Sequence, residues 1–269
     1  TDAIPKRHFK VAGVLTLRYV QLEGGSVRAE HNCVTHGSVT PADSCLGGSI
    51  FVSGIGSSFV ALHMLISGLF SSIAAAARST QPAHSGGGLY AAGGANVQVT
   101  RSTFENLKVK RDGGGAYIGG SSTTATFTES SFTGNYGAAK GGALLVDAAT
   151  VTLLESSFSS NSVGDVNTYN GIDGGTLTAQ ANAVVDITSC EFFAGGTMTQ
   201  NWGLMRIDNA QLTFHGGNNK IDASHAAIKP WGKRESDSIV HAWHNFAVLS
   251  NGGGGSTTGG MNTPSPSTT

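Results

Sequence analysis

The side chains best placed by type to do chemistry are six carboxylates, Asp112, Asp147, Asp165, Asp173, Asp186 and Asp208, together with Lys110 and Arg206. Two carboxylates facing one glycosidic bond can cleave it as acid and base, or as acid and nucleophile. A cation beside a base can instead abstract a proton next to a carboxylate. Either reaction needs the groups brought together by the elements that carry them. Asp147 and Asp173 lie beside Gly-Gly pairs, while Asp186 stands between Val185 and Ile187, which turns it outward on a strand. No two of these acids fall in clear register on adjacent repeats. We therefore expect solvated turn and surface carboxylates and assign no catalytic residue.

Metal and thiol chemistry have two places. His31, Cys33, His36 and Cys45 lie in one polar stretch. Cys33 and Cys45 can close it as a disulfide in an oxidising compartment. That disulfide is the expectation; the alternatives are two free thiols or, behind them, a metal shared with the histidines, whose spacing matches no standard zinc pattern. Asp165, Asn167, Asn170 and Asp173 could offer oxygen ligands to a calcium ion, but without the order of a calcium-binding loop. A hydrogen-bonded polar loop is the expectation there. His241 and His244 flank Trp243 on a surface segment. Neither a Gly-x-Ser-x-Gly nucleophile motif nor a phosphate-loop lysine motif occurs. No metal or cofactor is assigned.

Composition narrows the classes further. Of 269 residues 39 are Gly, only 12% are charged, 39% are hydrophobic, and the net charge is −1. That hydrophobic share is too high for a disordered chain. Lysines and arginines are scattered, densest at Lys108-Val109-Lys110-Arg111, so no basic patch argues for nucleic acid. No apolar run reaches the ~18 residues of a membrane-spanning helix; the nearest, Phe59 to Leu69, is broken by His63, Ser67 and Gly68.

The elements that must position these groups come from an internal repeat. Gly-Gly pairs recur in Gly47-Gly48-Ser49-Ile50, Gly87-Gly88-Leu89-Tyr90, Gly114-Gly115-Ala116-Tyr117, Gly141-Gly142-Ala143-Leu144 and Gly174-Gly175-Thr176-Leu177. A fixed core unit at varying intervals is the pattern of a solenoid with loops inserted into some coils. The last four pairs are each followed by a Phe: Phe104, Phe132, Phe158 and Phe192. Seven residues before it stand Val97, Ala125, Val151 and Val185; five before, Val99, Phe127, Leu153 and Ile187; two before, Ser102, Ser130, Ser156 and Cys190. Apolar alternation with period two marks strands with one buried face. Leu15, Leu17 and Leu22 fit the same frame near the N-terminus, whereas Phe59 to Phe70 has an ambiguous phase.

A repeat this short cannot bury a core alone. Its strands must pair with equivalents one coil above and below, ~4.8 Å away. We thus expect an all-β, right-handed parallel β-helix of about six or seven coils, roughly 30 Å long. Phe104, Phe132, Phe158 and Phe192 should stack inward. Gly115, Gly142 and Gly175 should supply turns that a Cβ would crowd. Cys190, in the small inward column, should be a buried free thiol.

Gly141-Gly142-Ala143-Leu144 with Phe158-Ser159-Ser160-Asn161, and Gly114-Gly115-Ala116-Tyr117 with Phe132-Thr133-Gly134-Asn135, resemble the GGA[ILV] and FxxN repeats of chlamydial polymorphic membrane proteins. The resemblance covers roughly residues 86–200 and makes Asn135 and Asn161 structural repeat residues. It departs at Asn106, which follows Phe104 at +2, and at Gly195, where an Asn would fall after Phe192. It implies extracellular or cell-surface display and an adhesion-like or structural role. The polygalacturonase set of Asn-Thr-Asp, Asp-Asp, Gly-His-Gly and Arg-Ile-Lys is missing; Arg206-Ile207-Asp208 matches only a fragment.

Residues 1–250 are expected to form the β-helix, with about 215–250 as a helical or irregular C-terminal cap and Asp237 a possible helix N-cap. Residues 251–269, made of Gly, Ser, Thr and Pro with Met261 and two Asn, read as a flexible linker or O-glycosylated stalk. No Asn-x-Ser/Thr sequon occurs. The chain reads as a mature or excised piece of a longer polypeptide. Expected partners are protein subunits or other segments of the same polypeptide at the N-terminal face, with polysaccharide as a further ligand class. The functional expectation is a non-catalytic surface module. The alternative is a carbohydrate-active enzyme or a polysaccharide-binding module. Paired Thr runs, Thr124, Thr126 and Thr128 with Thr150 and Thr152, differ in phase as read from sequence and argue only weakly for an ice-binding face.

Overall fold

A computed structural model describes residues 7–24, 27–28, 47–68, 80–81, 85–109, 111–164, 175–194, 204–216, 218–222, 228–231, 239–242 and 247–249. These form a right-handed parallel β-helix. Each full coil contributes one strand to each of three sheets, as in Leu144–Asp147, Thr150–Leu154 and Ser157–Val163. The first sheet stacks Phe9–Val11, Ile50–Ser53, Leu89–Ala92, Ala116–Gly119, Leu144–Asp147, Leu177–Gln180, Met205–Asp208 and Ile228–Trp231 in chain order. The second runs from Val14–Arg18 to Ile239–Ala242, and the third from Gln21–Glu23 to Ala247–Leu249. Every neighbour pair along these stacks is parallel; one small antiparallel pair, Val27–Arg28 with Thr80–Gln81, lies outside them.

Two expectations change here. The described residues make eight coils, because Phe59 and Ile66 register with Val97 and Phe104, and one more coil follows Asp222. The segment expected as a cap also carries strands, Ile228–Trp231, Ile239–Ala242 and Ala247–Leu249, each pairing with the preceding coil. The apolar run at 239–249 reads as a helix or as short strands with equal ease; stacking on an open sheet edge decides in favour of strands. Asp237 and the 251–269 tail lie outside the described residues.

The core is a set of inward ladders. Phe104, Phe132, Phe158 and Phe192 are fully buried and stack in sequence, with centroids 4.6, 4.9 and 4.6 Å apart and ring planes within 6°. Phe127, from the second sheet, meets Phe104 and Phe132 edge-on. Val97, Ala125, Val151 and Val185 form one column of that sheet; Val99, Phe127, Leu153 and Ile187 form another.

The corner between the second and third sheets is one residue in the left-handed region. In successive coils it is Tyr19, His63, Arg101, Glu129, Glu155 and Ser189, with φ between 48° and 55°, and then Gly216. Such a bend breaks the strand ladder just after it and leaves a buried N–H to satisfy. The next residue does this with its side chain. Ser102 N donates to Ser130 Oγ at 3.2 Å, Ser130 N to Ser156 Oγ at 3.1 Å, and Ser156 N to Cys190 Sγ at 3.4 Å. Asn219 Oδ1 accepts from Cys190 N at 2.9 Å and continues the column. Cys190 is a buried free thiol, its pKa pushed up to about 11 by burial.

Asn135 and Asn161 perform the same task at the next bend. Both are fully buried. Asn135 Oδ1 accepts from Leu107 N and Asn161 Oδ1 from Asn135 N, while their amides donate to Phe104 O and Phe132 O.

Two of the five Gly-Gly pairs, Gly87-Gly88 and Gly114-Gly115, are registered one residue away from their reading in sequence. Ile50, Leu89, Ala116, Leu144 and Leu177 are equivalent, so Gly48, Gly87, Gly114, Gly142 and Gly175 share a column. Gly115 aligns instead with Gly88 and Ala143. Three-glycine runs concealed this shift. A Cβ at Gly114 would stand 2.1 Å from Gly142 O, and one at Gly142 2.2 Å from Gly175 O.

Candidate functional site

The densest group of ionisable side chains among the described residues lies where the Gly-containing turns enter the first sheet. Asp112 and Lys140 occupy one column, bridged with Ser85 on consecutive coils. Each immediately precedes a left-handed glycine, Gly113 at φ 66° and Gly141 at φ 58°. On the outer side of the sheet, Tyr117, Leu145, Thr178 and Arg206 form one column, and Gly119, Asp147, Gln180 and Asp208 form another. Above Tyr117 the column continues as Tyr90 and Phe51, with ring centroids 4.6 and 5.3 Å apart.

The polar groups engage one another, two pairs across coils and one within a strand. Tyr117 Oη donates to Asp147 Oδ2 at 2.8 Å, its ring lying over Gly119, where a Cβ would be 2.5 Å from the ring. Lys140 Nζ donates to Gln180 Oε1 at 2.8 Å. Arg206 pairs with Asp208 at 3.0 Å. Burial, with Asp147 alongside, raises the Tyr117 phenol far above its ordinary range, and burial lowers the Lys140 amine. Asp112 differs. Its side chain is 15% exposed, Oδ2 lies 3.5 Å from Arg111 Nε, and Oδ1 has no hydrogen-bond partner among the described residues. Burial raises its carboxyl to about 6, against the pull of Arg111 and Lys140.

The sequence-level candidates separate as follows. Asp112, Asp147, Arg206 and Asp208 come together on this face. Asp147 and Asp208 share a column but are separated by Gln180, two coil spacings or roughly 10 Å. Asp186 lies on the outer face of the second sheet, 3.0 Å from His215. Lys110, Asp165, Asn167, Asn170, Asp173, His244 and the His31, Cys33, His36 and Cys45 group lie outside the described residues, as does the side chain of His241. No three His, Cys, Asp or Glu side chains converge as metal ligands among the described residues. No described helix is long and apolar enough to cross a membrane.

Sequence reasoning missed Tyr117, Lys140 and Gln180. A signal existed for Lys140, which precedes a glycine turn as Asp112 does. Tyr117 and Gln180 needed the corrected register. The Thr runs also change: Thr124 pairs with Thr150 and Thr126 with Thr152, so they are in phase. The neighbouring outward positions are Asn96 and Gln98 on one side and Val184 and Asp186 on the other, which ends the regular array after two coils.

Comparison with curated proteins and with solved structures returned no match. The right-handed β-helix region family matches residues 72–241, well over half of the chain. Parallel three-sheet stacking, continuous inward ladders and this match agree, and the chain belongs to the family of right-handed β-helix regions.

Proposed function

We propose that this β-helix is a non-catalytic extracellular module with a structural or adhesion role, part of a larger surface protein or fibrous assembly. The observation carrying this reading is the way its polar groups are used. Asp147 and Gln180 are held by Tyr117 and Lys140 of neighbouring coils, tying coil to coil, and Asp208 is held by Arg206 of its own strand. The buried Ser and Asn side chains are spent on backbone groups at the bends. The Gly-Gly-Ala and Phe-x-x-Asn repeats support surface display through their resemblance to chlamydial polymorphic membrane proteins. Partners fit the first coil best. Val14 and Tyr19 are 77% and 75% exposed there, and its inward Leu15 and Leu17 are only partly buried. Among the described residues no strand pairs with the outer edge of this coil, and such an edge beside apolar side chains favours pairing with a protein subunit or another segment of the same polypeptide.

Asp112 favours a second reading, a carbohydrate-active enzyme, because a carboxyl raised to about 6 suits a general acid. One experiment separates the two. The chain is assayed against acidic and neutral polysaccharides for turnover and for retention. Binding or no interaction, without turnover, is the expected result. Turnover abolished by Asp112→Asn or Asp147→Asn would replace the first reading with the second.

A further inference from the structure

Asp112 and Lys140 are stacked neighbours, yet the lysine amine is bonded away from the carboxyl. Lys140 Nζ reaches forward one coil to Gln180 Oε1 at 2.8 Å, while Asp112 Oδ1, one coil back, has no hydrogen-bond partner among the described residues. The amine is bonded to a neutral acceptor in the next coil and is within electrostatic reach of an acidic one in the previous coil. A neutral carboxyl competes poorly with an amide for an ammonium donor, whereas a carboxylate forms the stronger, charge-assisted bond. We propose that Asp112 and Lys140 form a pH-operated latch. With Asp112 protonated, Lys140 ties its coil forward to Gln180; with Asp112 charged, Lys140 is drawn back to it.

Every charged or titratable neighbour bears on this latch. Arg111 and Lys140 favour the carboxylate of Asp112, and Asp147 opposes it. Tyr117 also lies within electrostatic reach of Asp112. On the lysine side, Asp208 favours the charged amine, while Arg206 and Arg111 oppose it. Lys110 and Asp173 lie outside the described residues. Burial is the largest influence on Asp112 and places its titration near 6, so the latch turns in mildly acidic solution. Because the folded carboxyl titrates above its unfolded value of 3.8, its contribution to stability is fully present below that value. It is lost as the pH rises through about 6.

The test compares the chain with Asp112→Asn from pH 4.5 to 7.5, following thermal unfolding and the NMR signal of the Gln180 side-chain amide. Subtracting the two Tm curves removes the effect of all other carboxylates. The difference should grow in favour of Asp112→Asn by roughly 3–6 °C across this range. The Gln180 signal should shift with a midpoint near 6 in the unaltered chain and stay constant in the variant. Parallel Tm curves, or a Gln180 signal indifferent to pH because Lys140 holds both acceptors at once, would overturn the latch. Should Asp112→Asn not fold, direct carbon NMR titration of Asp112 in the unaltered chain decides. A midpoint near 6 together with the Gln180 shift supports the latch, and a midpoint below 4.5 eliminates it.

Discussion

At the scale of single residues, side chains replace backbone wherever the coil turns. The left-handed corner is populated by Tyr, His, Arg, Glu and Ser, residues that enter this region at some cost. The Ser column repays part of that cost by accepting the N–H that the bend releases. Asn at the following bend accepts through its oxygen and donates through its nitrogen, whereas a Ser hydroxyl must do both through a single oxygen. Glycine obeys a different constraint. A Cβ at Gly114 would stand 2.1 Å from Gly142 O and 2.6 Å from the Tyr136 backbone, whereas one at Gly115 would stand 2.7 Å from Ala143 O and 2.9 Å from the Phe132 ring, in a column where Ala143 already bears a Cβ. Gly114→Ala should therefore cost more than ~4 kcal/mol or prevent soluble expression, while Gly115→Ala, which crowds one carbonyl and a ring, should cost less, about 2–3 kcal/mol. Urea unfolding of both variants measures the contrast, and equal losses would contradict the register.

At the scale of elements, each strand is too short to be stable alone and takes its stability from its neighbours above and below. The third-sheet strand Ser131–Thr133 buries one large side chain, Phe132, which stacks on Phe104 and Phe158 and meets Phe127 edge-on. Truncation leaves a void that rigid ladders cannot close. Phe132→Ala and Phe158→Ala should each lower stability by about 3–5 kcal/mol. Because the two rings touch, the double variant should fall short of the sum. Chemical denaturation of the three variants provides the check; losses near 1 kcal/mol would mean that the column is not packed as described. The outer ion pair Arg101–Glu129 is of another kind. Both groups are solvent-exposed, and the hydrogen bond from Arg101 lowers the Glu129 pKa without burying either charge. It marks the corner column rather than holding it.

For the whole molecule, the described strands of the three sheets pair between adjacent coils, so stability is a sum of coil and interface contributions and the outermost described coils are weakest. Hydrogen exchange should be slowest in the strands between Leu89 and Ala194 and faster in Phe9–Glu23 and Ile228–Leu249. Uniform protection along the chain would contradict this solenoid behaviour. The sequence by itself determined the fold class, the inward ladders and the buried place of Cys190. All three follow from which residues are apolar at period two and from a core unit that recurs at fixed offsets from each Phe. It also marked where turns fall, since Gly-Gly and Phe-x-x-Asn carry their own stereochemistry. Tertiary structure alone decided the rest. The one-residue alignment of the three-glycine runs, the phase of the Thr rows and the addition of an eighth coil depend on which strand stacks on which. Pattern within one segment does not encode that choice. The union of Asp112, Tyr117, Lys140, Asp147, Gln180, Arg206 and Asp208 on one face has the same origin. These residues are scattered over nearly a hundred positions of sequence, and only stacking at ~4.8 Å per coil brings them within reach of one another.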